Sequence, residues 1–184
     1  MNRPFQFGVR YCAASRQELL GELTAPLAAD QCRTAAFAPV TSLSQAARDA
    51  DYRAVLNSMT ICAMDGMPVV RRARKLDPSL IDIERCSGPD MMRLVLDATR
   101  NTGARHYFYG TTRENLDLLV PGPGIGTGRG ICVAGTHAPP FRPLTEEEEQ
   151  EDIRRIREAK PDYLWVALGA PRQDLLGHAA RRWS

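Results

Sequence analysis

Short apolar segments alternate with amphipathic segments along most of this chain, and this alternation limits its possible folds more than any other feature. In the second half, the apolar runs end at Gly110, Gly135 and Gly169. Helices are predicted to begin at Thr111 and Thr145, because a glutamate follows each threonine three positions later, as in a capping box. The pattern predicts an α/β fold, a Rossmann-like parallel sheet with helices on both faces.

The same pattern predicts where the elements begin and end. Strands are predicted at 33–37, 59–64, 106–109, 131–134 and 162–168, the last of them buried. Helices are predicted at 17–23, 44–56 and 91–100, from Thr111 to about Leu119, from Thr145 to Lys160, and after 169–171, with Pro68 in the first turn of a further helix. The segments 86–89 and 121–130 are predicted to be loops.

The composition is that of an ordinary globular domain. The chain has 184 residues, of which 43% are hydrophobic and 25% charged, so we expect a single domain over residues 1–184. A net charge of +2 is too small to indicate nucleic acid as a partner. No apolar run is long enough to span a bilayer, and residues 1–10 lack the apolar core of a signal peptide. We therefore expect a cytoplasmic protein.

Cysteine and histidine spacing gives no sign of a metal site or a disulfide framework. The five cysteines are scattered and include no C-x-x-C pair, which is typical of reduced thiols in the cytosol. The three histidines are equally dispersed. The sequence therefore predicts no metal and no cofactor.

Four predicted turns follow strands and should meet at one edge of the sheet. They are Asp65-Gly66, Gly110-Thr111-Thr112, Gly135-Thr136-His137, and Gly169 to Gln173. Parallel sheets bind ligands at the carboxyl ends of their strands, where helix N-termini also favour phosphate groups. This edge is therefore the predicted binding site, and a diphosphate is the ligand group that it suits.

Two of these turns carry side chains suited to chemistry. Asp65 is the only carboxylate placed directly after a strand in such a turn, so it could be a general base for a hydroxyl. Its position alone equally allows a helix N-cap. After Gly169, Arg172 adds positive charge and Gln173 can bond a phosphate or sugar, although an isolated turn of this kind is more often structural.

Four other features are interpreted as structural. The glycines of 122–130 do not fit G-x-G-x-x-G and precede a strand rather than a helix. Asp49-Ala-Asp51 resembles a metal-binding D-x-D, but it lies in a predicted helix, so a solvated helix face is favoured. The run Arg71 to Lys75 is interpreted as a charged helix face rather than a contact for lipid or nucleic acid. His137 is interpreted as a structural histidine.

Six segments, in order and at matching spacing, together resemble a known family. They are Asp49 to Arg53, Asp65 to Val70, Glu84 to Asp90, Tyr107 to Gly110, Pro139 to Pro143, and Pro161 to Asp174. This combination is similar to the TagA-type (WecG/TagA/CpsF) glycosyltransferases, glycosyltransferase family 26. That family includes the N-acetylmannosaminyltransferases of wall teichoic acid and enterobacterial common antigen synthesis. The resemblance runs from Asp49 to Leu176, about two-thirds of the chain.

The resemblance implies an inverting, metal-independent enzyme of cell-surface polysaccharide synthesis. A sugar similar to N-acetylmannosamine would move from a UDP-sugar to a lipid-linked or other hydroxyl acceptor. Asp65 stands at the family's catalytic aspartate, Arg85 at an arginine that holds a substrate phosphate, and Gln173 at the glutamine of the family's Pro-Lys-Gln-Glu segment. With Gly110, Thr111, Gly169 and Arg172 from the strand-end turns, these complete the predicted substrate-binding residues.

The resemblance implies the substrates, and the composition and charge indicate the remaining partners and the location. We expect a UDP-sugar donor, a lipid-linked acceptor, weak or no membrane contact at the inner face of the cell membrane, and no nucleic acid. A homo-oligomer is compatible with these expectations.

The sequence departs from the family in two places. The family's pocket-lining Thr-x-Asn falls on Phe37 and Pro39 here, and the family's C-terminal strand, helix and basic appendage are expected to be absent from this chain. The alternative hypothesis is therefore a non-catalytic member that binds a nucleotide-sugar or acts as a partner subunit.

Overall fold

The computed structural model describes residues 4–28, 31–119 and 130–181. The strands are β1 (Phe5–Gln6), β2 (Val9–Arg10), β3 (Ala35–Ala38), β4 (Ile61–Met64), β5 (Arg105–Gly110), β6 (Cys132–His137) and β7 (Tyr163–Ala167). The helices are α1 (Arg16–Thr24), α2 (Val40–Ala46), α3 (Ala50–Ser58), α4 (Met67–Leu76), α5 (Gly88–Ala98), α6 (Arg113–Leu119), α7 (Glu146–Ala159) and α8 (Arg172–Ala180), with a short 3-10 turn at Pro78–Leu80.

The strands pair in parallel, which confirms the predicted Rossmann-like α/β class. Among the described residues, however, they form two parallel sheets rather than one, with the orders β3-β4 and β6-β5-β7. The N-terminal segment lies along the far edge of β4. Cys12 forms an isolated parallel β-bridge with Ala63, and its N–H donates to the Cys62 carbonyl over 2.8 Å. Strands β1 and β2 form a separate antiparallel hairpin.

One of the two predicted capping boxes is confirmed. At α7, the Glu148 N–H donates to the Thr145 hydroxyl and the Thr145 N–H donates to the Glu148 carboxylate. The box at Thr111 was wrong, since α6 is capped by Thr112, whose hydroxyl accepts from the Asn115 N–H. The Thr111 N–H is used instead by the Ala167 carbonyl of β7, which keeps that residue outside the helix.

Two helix boundaries also differ from the prediction. The stretch 44–56 is two helices, α2 and α3, because the Asp49 carboxylate accepts from the Tyr52 N–H and starts α3. Such side-chain bonds compete with a continuous helix. Helix α5 begins at Gly88, within the predicted loop 86–89, since Ser87 is its N-cap and Pro89 fits the first turn.

Strands β6 and β7 of the β6-β5-β7 sheet also differ from the prediction. Strand β6 continues through the predicted turn 135–137, so only His137 reaches its carboxyl end. Strand β7 is half-buried rather than buried, because it pairs with β5 on one side only. Most of the predicted loop 121–130 lies outside the described residues.

Polar side-chain bonds attach α8 to α3. The Tyr52 hydroxyl donates to the Asp174 carboxylate over 2.6 Å, and both residues are buried. Ser58 and His178 form a second bond between the same helices, with 2.8 Å between Oγ and Nδ1. No helix in the described ranges has the length and apolar composition needed to cross a membrane.

We predict that Tyr52→Phe destabilises the fold by about 1–3 kcal/mol, because it leaves the Asp174 carboxylate, in a residue only 6% exposed, without its donor. Chemical denaturation measures the loss. Tyr163→Phe is the control, since that hydroxyl makes only a 3.5 Å contact with the Leu23 carbonyl. Equal losses in the two variants would contradict a structural role for the Tyr52–Asp174 bond.

Candidate functional site

Asp65 lies directly after the carboxyl end of β4. All four residues of that strand are buried, and the Asp65 N–H continues its pairing by donating to the Ala38 carbonyl over 3.3 Å. Gly66 then turns the chain into α4 with φ +123°, a conformation that side chains disfavour. Gly66 is the N-cap of α4, so the interpretation of Asp65 as an N-cap was wrong. Its side chain, 26% exposed, is left available at the strand end.

Three further side chains accompany this carboxylate. Arg85 lies with Nη1 3.8 Å from Oδ1 of Asp65 and donates from Nη2 to Oδ2 of Asp90 over 2.8 Å. The Ser87 hydroxyl donates to the same Asp90 oxygen over 2.6 Å. The intervening Cys86 N–H donates to the Met64 carbonyl at the end of β4, which fixes this segment beside Asp65. We call Asp65, Arg85, Ser87 and Asp90 the Asp65–Arg85 cluster.

The pKa values of the two carboxyl groups in the cluster are shifted in opposite directions. Burial raises the pKa of Asp65 above its usual value; the Arg85 charge lowers it and the Asp90 charge raises it. The hydrogen bond from Ser87 lowers the pKa of Asp90, with help from Arg85. Asp65 is therefore the better proton acceptor, and Asp90 is the group that holds the arginine.

The residues beside Asp65 at the end of β3, Phe37 and Pro39, are apolar. Phe37 pairs in register with Ala63, and continuing that register brings Pro39 beside Asp65. Alternate residues of a strand share a face, so Phe37 and Pro39 lie on the same side as Asp65. The Phe37 ring also contacts Gly88, where an added Cβ would lie 3.5 Å from the ring. These are the positions at which the resemblance implies threonine and asparagine.

A second group of predicted residues lies at the ends of β5 and β7. Gly110 pairs with Ala167, and at φ +112° an added Cβ would overlap the Ala167 backbone. Only glycine fits there. Thr111 follows with its N–H bonded to the Ala167 carbonyl and its hydroxyl accepting from the Asn115 amide over 2.9 Å. This turn leads directly to the N-terminus of α6.

The turn after β7 is closed by Gln173. Its amide oxygen accepts from the Gly169 N–H over 3.1 Å, which leaves the amide NH₂ as a donor for a ligand. Gly169 has φ +77°, and open space surrounds its missing Cβ. Arg172 contacts the Arg142 carbonyl at 3.5 Å. The turn combines a close backbone approach with two donor side chains.

The structure thus brings the predicted residues together as two groups. Asp65 lies beside Arg85, and the turn Gly110–Thr111 lies beside Ala167, two residues before the turn that begins at Gly169. The groups end different sheets, so the expected single sheet edge is divided between them.

Sequence reasoning missed Ser87 and Asp90. The signal was present, because Ser87-Gly-Pro-Asp90 matches the pattern of a helix start, in which an acidic residue follows serine at the third position.

His137, at the end of β6, has a structural partner as expected. Its Nε2 lies 3.0 Å from Oδ1 of Asp152, and the Tyr109 hydroxyl donates to the other oxygen over 2.7 Å. In the described residues, no three His, Cys, Asp or Glu side chains form a group that could hold a metal.

An open cavity of about 310 Å³ extends from the Asp65–Arg85 cluster along α4. Its lining is largely charged and consists of Arg16, Met67, Val70, Arg74, Glu84 and Arg85.

The parallel strands define a Rossmann-like α/β protein. At the strand ends, glycine turns, a carboxylate of raised pKa and several arginines form a polar site. Comparison with known proteins makes this more specific. The sequence model of the glycosyl transferase WecG/TagA/CpsF family matches residues 5–183. The chain belongs to this family.

A curated relative is the N-acetylglucosaminyldiphosphoundecaprenol N-acetyl-beta-D-mannosaminyltransferase of Bacillus spizizenii. The two sequences are 26% identical over 137 residues, which is 74% of this chain and 50% of the relative. The chain therefore spans half the length of this relative.

We predict that Asp65→Asn and Asp90→Asn change stability with opposite pH dependence. Because the folded-state pKa of Asp65 is raised, the native state loses stability as pH rises from the ordinary carboxyl pKa through the raised value. Asp65→Asn should therefore be more favourable relative to wild type at pH 7 than at about pH 3.

The Asp90 pKa is lowered, so its stabilisation is present above the unfolded pKa and lost as pH falls through the folded value. Asp90→Asn should be more harmful at pH 7 than at low pH. Thermal unfolding across pH measures both variants, and curves of the same sign would contradict the assignment.

Proposed function

We propose that this protein is a glycosyltransferase that moves a sugar similar to N-acetylmannosamine from a UDP-sugar to a hydroxyl of a lipid-linked acceptor. Membership of the family supports the reaction class. The name of the Bacillus relative supports the sugar and a diphosphate-linked acceptor. Such an enzyme would act in cell-surface polysaccharide synthesis, at the cytoplasmic face of the membrane.

The observation that carries the proposal is the state of Asp65. It is a partly exposed carboxylate with a raised pKa, it is not used as a helix cap, and it lies beside Arg85, which also lines the open cavity. A general base needs a pKa shifted toward the working pH and access to the proton that it removes. Asp65 meets both conditions.

The chemistry proposed for this carboxylate is a single displacement. Asp65 accepts the proton of the acceptor hydroxyl, and the oxygen forms a bond to the anomeric carbon of the donor sugar. The bond between that carbon and the diphosphate oxygen breaks, and UDP leaves with the bonding electrons. One displacement inverts the anomeric centre. Arg85 and nearby helix N-termini stabilise the negative charge that develops on the leaving diphosphate.

The second group of residues is proposed to hold the donor. Gly110 and Gly169 allow a ligand close to the backbone at the ends of β5 and β7. Thr111 follows Gly110, and its N–H donates to the Ala167 carbonyl at the end of β7. Gln173 offers an amide NH₂ that has no acceptor among the described residues, and Arg172 offers a positive charge at the start of α8. Both side chains are suited to phosphate or sugar oxygens.

A second candidate function is non-catalytic binding of a nucleotide-sugar, or service as a partner subunit. The specific observation in its favour is the apolar wall beside Asp65. Phe37 and Pro39 offer no side-chain hydrogen bond to a sugar at positions where the resemblance implies threonine and asparagine. A binding protein would tolerate this change more readily than an enzyme.

We predict that Asp65→Asn lowers the turnover of sugar transfer by roughly 100- to 10,000-fold, the usual contribution of a general base. The affinity for UDP should change little, because the base faces the acceptor hydroxyl. Steady-state kinetics and UDP titration of both forms measure the two effects.

The matched control is Asp51→Asn, an exposed carboxylate of the same type in the first turn of α3. Asp51→Asn should keep full turnover. Transfer by the wild-type protein should also continue in EDTA. Unchanged turnover in Asp65→Asn would remove Asp65 from the mechanism. Wild-type protein that binds UDP but transfers no sugar would favour the binding function.

We also predict that UDP raises the melting temperature and that NAD does not, since the glycine turns lack a dinucleotide fingerprint. A ligand at a hundredfold excess over its Kd stabilises the native state by about 2.7 kcal/mol. For a chain of this size, that corresponds to a shift of about 5–10 °C. A shift with NAD and none with UDP would contradict the proposed donor.

A further inference from the structure

The cavity along α4 contains an arginine that the proposed donor site does not use. Arg74 lies seven residues after Met67 on the same helix, so the two are about 10 Å apart along the helix axis. Met67 is at the Asp65 end of the cavity, and Arg74 lies farther from the base. Arg85 is shared between the cavity and the Asp65–Arg85 cluster.

The cations that line this cavity are not equally paired. Arg16 is bound to Glu84 over 3.1 Å, and Arg85 is bound to Asp90 over 2.8 Å. Arg74 donates from Nη2 to the Ile83 carbonyl over 2.7 Å and has no carboxylate within 4.0 Å among residues 4–28, 31–119 and 130–181. The lining therefore carries three positive charges and one negative charge.

Arg74 also has a buried donor without a partner. Its Nε is shielded from solvent and, in the described part of the chain, meets no acceptor. A buried N–H that lacks an acceptor costs free energy, so native proteins rarely leave one without a reason. An anion in the cavity would balance the excess positive charge of the lining, since guanidinium groups suit phosphate oxygens, and it would reach the shielded Nε–H only if the Arg74 side chain shifted.

We propose that this cavity binds the diphosphate of the acceptor, with Arg74 as the residue that holds it. This inference rests on the proposed function and adds the position of the second substrate. The acceptor sugar would lie between the diphosphate and Asp65, so that its hydroxyl reaches the base. Arg74 is a binding residue and takes no part in the proton transfer.

The acceptor is favoured over the donor because of which elements form the cavity. Its lining comes from α1, α4 and residues 84–85, and no lining residue belongs to the turns after β5 and β7 where the donor is proposed to bind. Arg85, which is also proposed to stabilise the leaving diphosphate, is the lining residue that the two substrates would share. The base must reach the acceptor hydroxyl while that hydroxyl faces the anomeric carbon of the donor. In the proposed arrangement, the acceptor diphosphate lies in the α4 cavity and the donor diphosphate in the turns after β5 and β7.

The first test measures binding without catalysis. Inorganic diphosphate should raise the melting temperature of the wild-type protein, and the rise should be retained when UDP is saturating. Arg74→Gln should weaken the affinity for diphosphate by about 10- to 100-fold, the effect of losing a charge-assisted hydrogen bond. The control is Arg71→Gln, which removes an equal charge from an exposed position on the same helix and should behave as wild type.

The second test separates the substrates by kinetics. Arg74→Gln should raise the KM for a diphosphate-linked acceptor by about 10- to 100-fold, with the KM for the donor and the turnover at saturating acceptor nearly unchanged. Arg74→Lys keeps the charge but loses Nε and the fork, so it should restore part of the loss. Arg74→Gln should also keep UDP binding, which shows that the variant is folded.

Several results would overturn the inference. Diphosphate that binds Arg74→Gln as tightly as wild type would place the anion elsewhere. Diphosphate that is displaced by UDP, or a rise in donor KM alone, would assign the anion to the donor site. Arg74-dependent binding of diphosphate by a protein without transferase activity would support the site while contradicting the proposed function, so the two failures are distinguishable.

Discussion

The burial of β4 is the constraint on which the site depends. Each residue of this strand is buried, with β3 paired along one edge and Cys12 on the other. The chain leaves this rigid element at Asp65, and Cys86 fastens the following arginine segment to the carbonyl of Met64. Rigid elements position reactive groups more accurately than loops do. Asp65 and Arg85 thereby meet, although they are twenty positions apart in sequence.

Charge is distributed around Asp65 so that one carboxylate stays basic while the other holds the arginine. Asp90, with Ser87, takes the short bond to Arg85, and Asp65 receives only the longer 3.8 Å contact. Burial then dominates the pKa of Asp65. Arg74 extends the positive lining away from the base along α4, which fits a substrate that carries its charge at a distance from its reacting hydroxyl.

Local signals in the sequence predicted much of this fold. The capping box at Thr145 and the placement of Pro68 in the first turn of α4 were correct, because each depends on a few neighbouring residues. The box at Thr111 failed for the opposite reason, since the Thr111 N–H bonds to a carbonyl of a distant strand. Asp49 was a local signal for the break before α3, but its helix-forming neighbours concealed it. Ser87 was a local signal for the start of α5 at Gly88.

By itself the sequence determined the alternation of strands and helices, the parallel class that follows from it, and the position of Asp65 after a strand. These depend on periodicity and on residues adjacent in the chain. Only the tertiary structure decided that Gly66 rather than Asp65 caps α4, that the strands divide into two sheets, and that Arg74 has a buried donor without an acceptor. Each of these depends on which distant groups fill the space around a backbone or side-chain atom, and no local pattern encodes that.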